Sequence, residues 1–263
     1  MTARSRSPLA EAATVHMRGA LLSYRALFTW LNPLGYVSSR IVRPIGMAIA
    51  FTSLSSYYGE GGGRMLVGAS LLAGAGAVLY GMALSVGNER LFGTLDTWLA
   101  SPQHKLGAIV QRAVPHVADG FIGGLCTYLI CCLLYGTMPI PLLLFSVLLV
   151  VAVVSSVGFS LSLAAVALII EDVFVGPNAA ELALMIFSGT LVPQGRLPAG
   201  LREVSEIFPL TRVMSIVDDQ LARRAWSSGT MLAEIGVAAV WFAVSSALVS
   251  LAVRRASART QVD

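Results

Sequence analysis

Charge is scarce in this chain: Asp, Glu, Lys and Arg make up 12% of its 263 residues, against about 25% in a soluble domain. Hydrophobic residues make up 56%, and so little polar surface cannot cover a core of that size in water. An ordinary water-soluble enzyme is excluded, and the surplus apolar residues must face lipid; the mean hydropathy of +0.76 agrees. Lysine is scarcer still, since Lys105 is the single lysine among 18 basic residues. A P-loop needs a lysine directly after glycine, whereas Lys105 follows Ser101-Pro102-Gln103-His104. The chain therefore carries no P-loop nucleotide hydrolase, and any ATP that drives it must be hydrolysed by another polypeptide. Cys126, Cys131 and Cys132 fall inside one apolar run without zinc-site or redox-pair spacing, and read as small buried hydrophobes. No Ser/His/Asp arrangement or H-E-x-x-H motif accompanies the three histidines. Arg4 and Arg6 precede no apolar core of signal-peptide length, so no cleaved leader is expected.

What the chain has in abundance is long charge-free runs. Residues 65–87 hold 23 without a charge, about 34 Å of helix against about 30 Å of hydrocarbon. Residues 141–170 hold 30. Residues 108–135 contain Asp119 in their apolar part, 174–192 contain Glu181 and 231–253 contain Glu234. Only 16 residues separate Arg43 from Glu60, so a first span is expected over 38–58, with Arg40 and Arg43 snorkelling to headgroups. This reading is an all-α polytopic membrane protein, a single domain over 1–263 with six transmembrane helices. With the N-terminus inside, twelve basic residues fall on the cytoplasmic side and six outside, which places both termini in the cytoplasm. Five of the six outer ones crowd into residues 196–224.

Three further segments are amphipathic. Over 8–31, Met17, Leu21, Tyr24, Phe28 and Leu31 form one stripe, an interfacial helix lying in the membrane plane or a small packed cytosolic cap. Over 89–101, Leu91, Phe92, Leu95, Trp98 and Leu99 share a face, and Pro102 ends the pattern. Such a helix between two spans serves as a handle through which a partner can push both, or as a plain linker. Over 193–230, Leu197, Leu201, Val204 and Phe208 form one stripe and Leu210, Met214, Val217 and Leu221 another, parted by Pro209. Ala69, Ala73, Ala77, Gly81 and Ser85 recur every four residues, a ladder suited to close helix packing in lipid.

Ionisable groups within spans are candidate functional groups. His116 and Asp119, one turn apart, read as a mutually satisfied pair or a proton relay. Glu181 reads as facing the bundle interior or a subunit interface, where it could touch a polar substrate. Glu234 reads as complementing the dipole of its own helix in the first turn, and Glu171 and Asp172 as a solvated loop.

The run Glu89-Arg90-Leu91-Phe92-Gly93-Thr94-Leu95-Asp96-Thr97-Trp98-Leu99-Ala100-Ser101-Pro102 resembles the E-R-x-x-G-T-L-x-x-L-x-x-[ST]-P signature of ABC-2-type transporter permeases. Ser188-Gly189-Thr190-Leu191-Val192-Pro193, then Leu197-Pro198 and Phe208-Pro209-Leu210-Thr211, is similar to that family's pattern before the sixth span. The resemblance implies a coupling helix over 89–101 that contacts an ATP-binding subunit through Glu89, Arg90, Leu91, Phe92, Gly93, Thr94, Leu95, Trp98, Ser101 and Pro102. It implies an external re-entrant hairpin over 193–230, closing the path through Gly189, Pro193, Leu197, Pro198, Phe208 and Pro209. Two permease copies with two ATP-binding subunits are expected in a bacterial cell (inner) membrane, exporting a hydrophobic or amphipathic drug, antibiotic or lipid-like substrate. No cofactor, metal or nucleic acid is expected on this chain; ATP and Mg²⁺ would sit on the partner. The expected path is apolar, without a charged pocket. The rivals are an ion-gradient-driven transporter using Asp119 or Glu181, and a membrane-embedded enzyme or signalling subunit.

Overall fold

The computed structural model describes residues 14, 17–22, 24–25, 32–59, 61–170 and 172–260, and among them no strand occurs. Helix α1 (Pro33–Val37), a π-helical turn (Ser38–Val42) and α2 (Arg43–Tyr57) follow one another without a break. Then come α3 (Gly63–Leu91), α4 (Leu95–Ala100), α5 (Lys105–Gln111), α6 (Ala113–Tyr135), α7 (Leu142–Ala167) and α8 (Val175–Phe187). A 3₁₀ turn (Gln194–Arg196) leads to α9 (Ala199–Ser205), α10 (Thr211–Leu221) and α11 (Ser228–Thr260).

Four helical stretches are long and apolar enough to cross a membrane: Gly63–Leu91, Lys105–Tyr135, Leu142–Ala167 and Ser228–Ser257. Their boundaries follow local chemistry. Asn32 caps α1 by accepting from the Leu34 N–H, with Pro33 at the first helical position. Gly136, left-handed at φ 62°, ends α6, and Pro141 precedes α7.

Burial arranges the bundle. The most apolar window of α3 is 83% buried and that of α11 only 17%, so α3 is the central post and α11 lies at the rim. Helix α3 packs against α2, α6, α7, α8 and α10, while α11 lies along α7. The small-residue ladder serves this packing: Ala69, Ala77, Gly81 and Ser85 are buried, and Ala73 borders a crevice. A close approach of two backbones lies off the ladder, where Gly74 meets Gly120. A Cβ on Gly120 would fall 2.5 Å from the Gly74 carbonyl oxygen, so only glycine lets the α3 and α6 backbones touch.

Several expected boundaries move. The span expected over 65–87 continues to Leu91, and the helix expected over 89–101 is confined to Leu95–Ala100. The segment 174–192 forms a helix only over Val175–Phe187, about 20 Å long and shorter than the hydrocarbon; the chain then leaves helical geometry at Gly189 (φ 79°). The interfacial helix expected over 8–31 lies mostly outside the described residues, Phe28 and Leu31 included. Residues 17–22 and 24–25 are helical, with Ala20 buried and Met17 and Leu21 about half exposed.

Candidate functional site

Glu89, Arg90 and Leu91 form the last turn of α3. Gly93, at φ 67°, makes the left-handed turn that ends a helix without the Cβ penalty, and the turn is closed by Gly93 N–H donating to Arg90 O and Thr94 N–H to Glu89 O. Helix α4 then runs for six residues until Ser101 turns extended at ψ 149°, the backbone that a following proline requires.

The signature side chains bind this turn to the rest of the bundle. Glu89 Oε1 accepts from Arg112 Nη2 at 2.7 Å, and Glu89 Oε2 from Thr94 Oγ1 at 2.6 Å. Arg90 donates to the Leu168 and Ile169 carbonyls, at 2.6 and 3.2 Å, so a cation caps the open carbonyl end of α7. Ser101 Oγ donates to Trp98 O at 2.7 Å. Leu95 and Trp98 pack against the core, whereas Leu91 and Phe92 are 59% and 53% exposed. The stripe expected to carry all of them on one face therefore divides at Gly93: its first two members stand out in solvent and the later ones turn inward.

A second group surrounds Glu181. Glu181 Oε2 accepts from Arg43 Nη2 at 2.8 Å and from Tyr80 Oη at 2.8 Å, and Tyr80 Oη also lies 2.6 Å from Asn178 Oδ1. The Arg43 guanidinium sits over the Tyr80 ring, 5.7 Å from its centroid. Arg43, Tyr80 and Glu181 rim a crevice of about 40 Å³ whose apolar wall includes Met47, Phe51, Leu72 and Leu191, room for little more than a few waters. Arg40, Arg43 and Glu181 put charge on the rim of this crevice.

Arg40 and Arg43, expected to snorkel to headgroups, each reach an acid on another helix. Arg40 Nε lies 3.5 Å from Asp119 Oδ2 on α6, and Tyr36 Oη donates to Asp119 Oδ1. His116 is not the partner of Asp119: it is buried against the Tyr24 ring at 5.7 Å, its Nδ1 without a hydrogen-bond partner. In lipid a buried acid is satisfied by whichever cation the helix packing brings to it, here one from another helix.

A third group gathers the expected outer-gate residues. Leu197 is buried and Pro198 precedes α9. The Phe208 ring stacks on Phe187 with centroids 5.2 Å apart and meets Phe159 edge-on at 5.8 Å, and Pro209 is buried behind it. Of the two expected stripes, Leu210, Met214 and Val217 are buried, whereas Leu201 and Val204 are 42% and 41% exposed. Arg212 with Glu206 and Arg224 with Asp219 form local pairs, but Asp218 is taken by Arg64 of α3. The same Arg64 donates to the Gly189 carbonyl at 2.7 Å. Glu234 does not serve its own helix either. Wholly buried in the second turn of α11, it accepts from the Leu210 N–H at 2.7 Å and the Arg212 N–H at 3.4 Å, capping α10, whose preceding residue Leu210 is left-handed at φ 70°.

The structure thus brings the signature residues together at one end of α3 and the Gly189–Pro209 residues around the other. Sequence reasoning assigned no part in them to Arg112, Tyr80 or Tyr36. Arg112 carried a signal, being a basic residue at the start of an apolar run; the two tyrosines carried none. No curated protein matches the chain. The family model described as ABC-2 type transporter matches residues 19–221, more than three quarters of the chain. A fastened turn between two spans and a bundle of membrane-crossing helices fit that family, and the chain belongs to it: a multi-pass membrane protein, the permease subunit of an ABC transporter, not itself an ATPase, whose membership implies an ABC ATP-binding partner.

Proposed function

We propose that the protein is the permease of an ATP-driven exporter, working as two copies with two ATP-binding subunits and moving a hydrophobic or amphipathic substrate out of a bacterial cell through the inner membrane. ATP and Mg²⁺ sit on the partner. The observation that carries this reading is the Glu89–Pro102 turn: its residues Leu91 and Phe92 project, while Glu89 and Arg90 fasten it to α6, by way of Arg112, and to α7. A partner that grips the projecting residues moves those helices together, because each link is a charge-assisted hydrogen bond. In this reading α1 through α2 is the first span and α8 the fifth, which gives six spans with both termini cytoplasmic. Helices α9 and α10 are the re-entrant hairpin that closes the path outward through Gly189, Pro193, Leu197, Pro198, Phe208 and Pro209.

Glu181 belongs to the path. Its crevice combines a polar rim with an apolar wall, which suits an amphipathic molecule, and at about 40 Å³ it is narrow; a drug-sized ligand needs several hundred Å³, so transport must widen it. Pairing of Asp119 with Arg40 and of Glu181 with Arg43 weakens the ion-gradient rival, which needs an acid free to take up and release a proton. Purification of the tagged chain from its host, followed by reconstitution with what co-purifies, tests the proposal. An ATP-binding subunit and nucleotide-dependent export are expected. Full transport without any nucleotide-hydrolysing companion, or a Glu89–Pro102 turn reactive from outside the cell, overturns it.

A further inference from the structure

A helix of six residues such as α4 cannot hold itself together in water, because its nucleation cost exceeds what so few bonds return. Its rigidity has to come from neighbours. Beside its packing against α11 and α3, two cations contribute to it. Lys105 Nζ donates to Trp98 O at 2.6 Å, to Ser101 O at 2.6 Å and to Ser101 Oγ at 2.8 Å, holding the open carbonyl end of α4 where a cation is favoured. The same ammonium lies 5.2 Å from the Trp98 ring centroid, and the Arg112 guanidinium 5.7 Å from it, both within the reach of cation–π attraction. Arg112 is itself buried and bonded to Glu89 and to the Ser85 carbonyl of α3. Lys105 opens α5 and Arg112 lies between α5 and α6. Trp98 is therefore held by cations from both ends of the short helix that leads into the span α6.

We infer that Lys105 and Arg112 are positioning residues that clamp Trp98 and make α4, α5 and α6 move as one body when the ATP-binding partner pulls on the Glu89–Pro102 turn. The inference rests on the permease reading above and adds to it the route into α6. Without the clamp α4 could tilt about the Gly93 turn while α6 stayed where it was. Lys105 is the residue to vary, because it is partly exposed and its loss leaves the half-buried Glu89–Arg112 pair intact.

The test uses the full chain in complex with its co-purified ATP-binding subunit in phosphatidylcholine vesicles. Cys126, Cys131 and Cys132 are replaced by alanine, and spin labels are placed at the exposed positions Thr97 on α4 and Leu133 near the far end of α6. The parent protein should give one narrow label-to-label distance, the same without nucleotide and with bound ATP. Lys105→Met, which keeps the stem and removes the donors, should broaden that distance or make it depend on nucleotide. In the same complex kcat for ATP hydrolysis should change by about tenfold while KM for ATP stays put, the scale of one lost charge-assisted grip. Lys105→Arg, which restores a cation, should return both readouts towards the parent. A Lys105→Met distance as narrow and as nucleotide-independent as the parent's overturns the clamp, as does a Lys105→Arg protein that behaves like Lys105→Met. If no ATP-binding subunit co-purifies, the permease reading fails, while the nucleotide-free distances still decide the clamp.

Discussion

Arg64, in the first turn of α3, holds Asp218 of α10 through two nitrogens at 2.6 and 3.3 Å and grips the Gly189 carbonyl at 2.7 Å. One side chain thus ties the central helix to the bend after α8 and to the helix after Pro209. If these segments form the outer closure, it opens only when this knot is undone. Arg64→Gln should therefore weaken the closed state. With Asp218 about 39% exposed, the loss is about 1 kcal/mol. The checks are faster labelling of a Leu201→Cys probe from outside and higher ATP hydrolysis per molecule moved. Unchanged labelling in Arg64→Gln would separate the knot from the closure.

Glu234 makes a stability prediction of a different kind. Its carboxylate is the acceptor for two backbone N–H groups at the start of α10 and sits beside a left-handed Leu210. Glu234→Ala would leave buried donors unmet next to a strained residue, at a cost of about 3 kcal/mol. Glu234→Gln keeps one acceptor and should cost about half that. Thermal unfolding in detergent should rank the proteins parent, Gln, Ala, with α10 loosening first by hydrogen exchange.

These two sites also mark where sequence reasoning stopped. The spans at 65–87, 108–135, 141–170 and 231–253 were legible because a long apolar run with two charges at most can do little else in a helix than sit in lipid. The turn at Gly93 and the stop at Pro102 were legible as residues, since glycine and proline act through the local backbone. The stripe from Leu91 to Leu99 failed for the same local reason: a single left-handed φ at Gly93 resets the helical phase that the pattern presumes. Partners were not legible. Asp119 was matched with His116 on spacing along one helix, yet Arg40, 79 positions earlier, takes it; Glu234 likewise serves a helix that precedes its own. Such choices are fixed by the mutual register of helices, on which apolar periodicity carries no information.

The Arg43–Glu181 pair tests the crevice. Glu181→Gln removes the charge partner of an arginine that is 51% exposed, so the protein should still fold, with a stability change of about 1 kcal/mol. Transport should change in kind and not only in amount: the order of preference among amphiphiles of differing head charge should shift. Arg43→Gln should shift it in the opposite sense, and the double variant should fall near the parent in stability because each single change leaves one charge behind. A substrate order identical in all four proteins removes Glu181 from the path.

The Glu89–Pro102 turn gives the sharpest separation between insertion and function. Gly93→Ala forces a Cβ into a left-handed backbone at φ 67° with open space around it, so the only cost is conformational, about 1 kcal/mol. That is too little to prevent insertion of a bundle this apolar. Glu89→Gln keeps an acceptor for Thr94 and removes the charge that holds Arg112. Both proteins should reach the membrane in parental amounts and bind the ATP-binding subunit, yet lose most ATP-dependent transport, because the segment that is gripped no longer carries α6 with it. Abundance is read by blot and transport in vesicles at saturating ATP. Parental transport in both variants would mean that the fastening at Glu89 and Gly93 transmits no force, and the handle would have to be sought elsewhere in the chain.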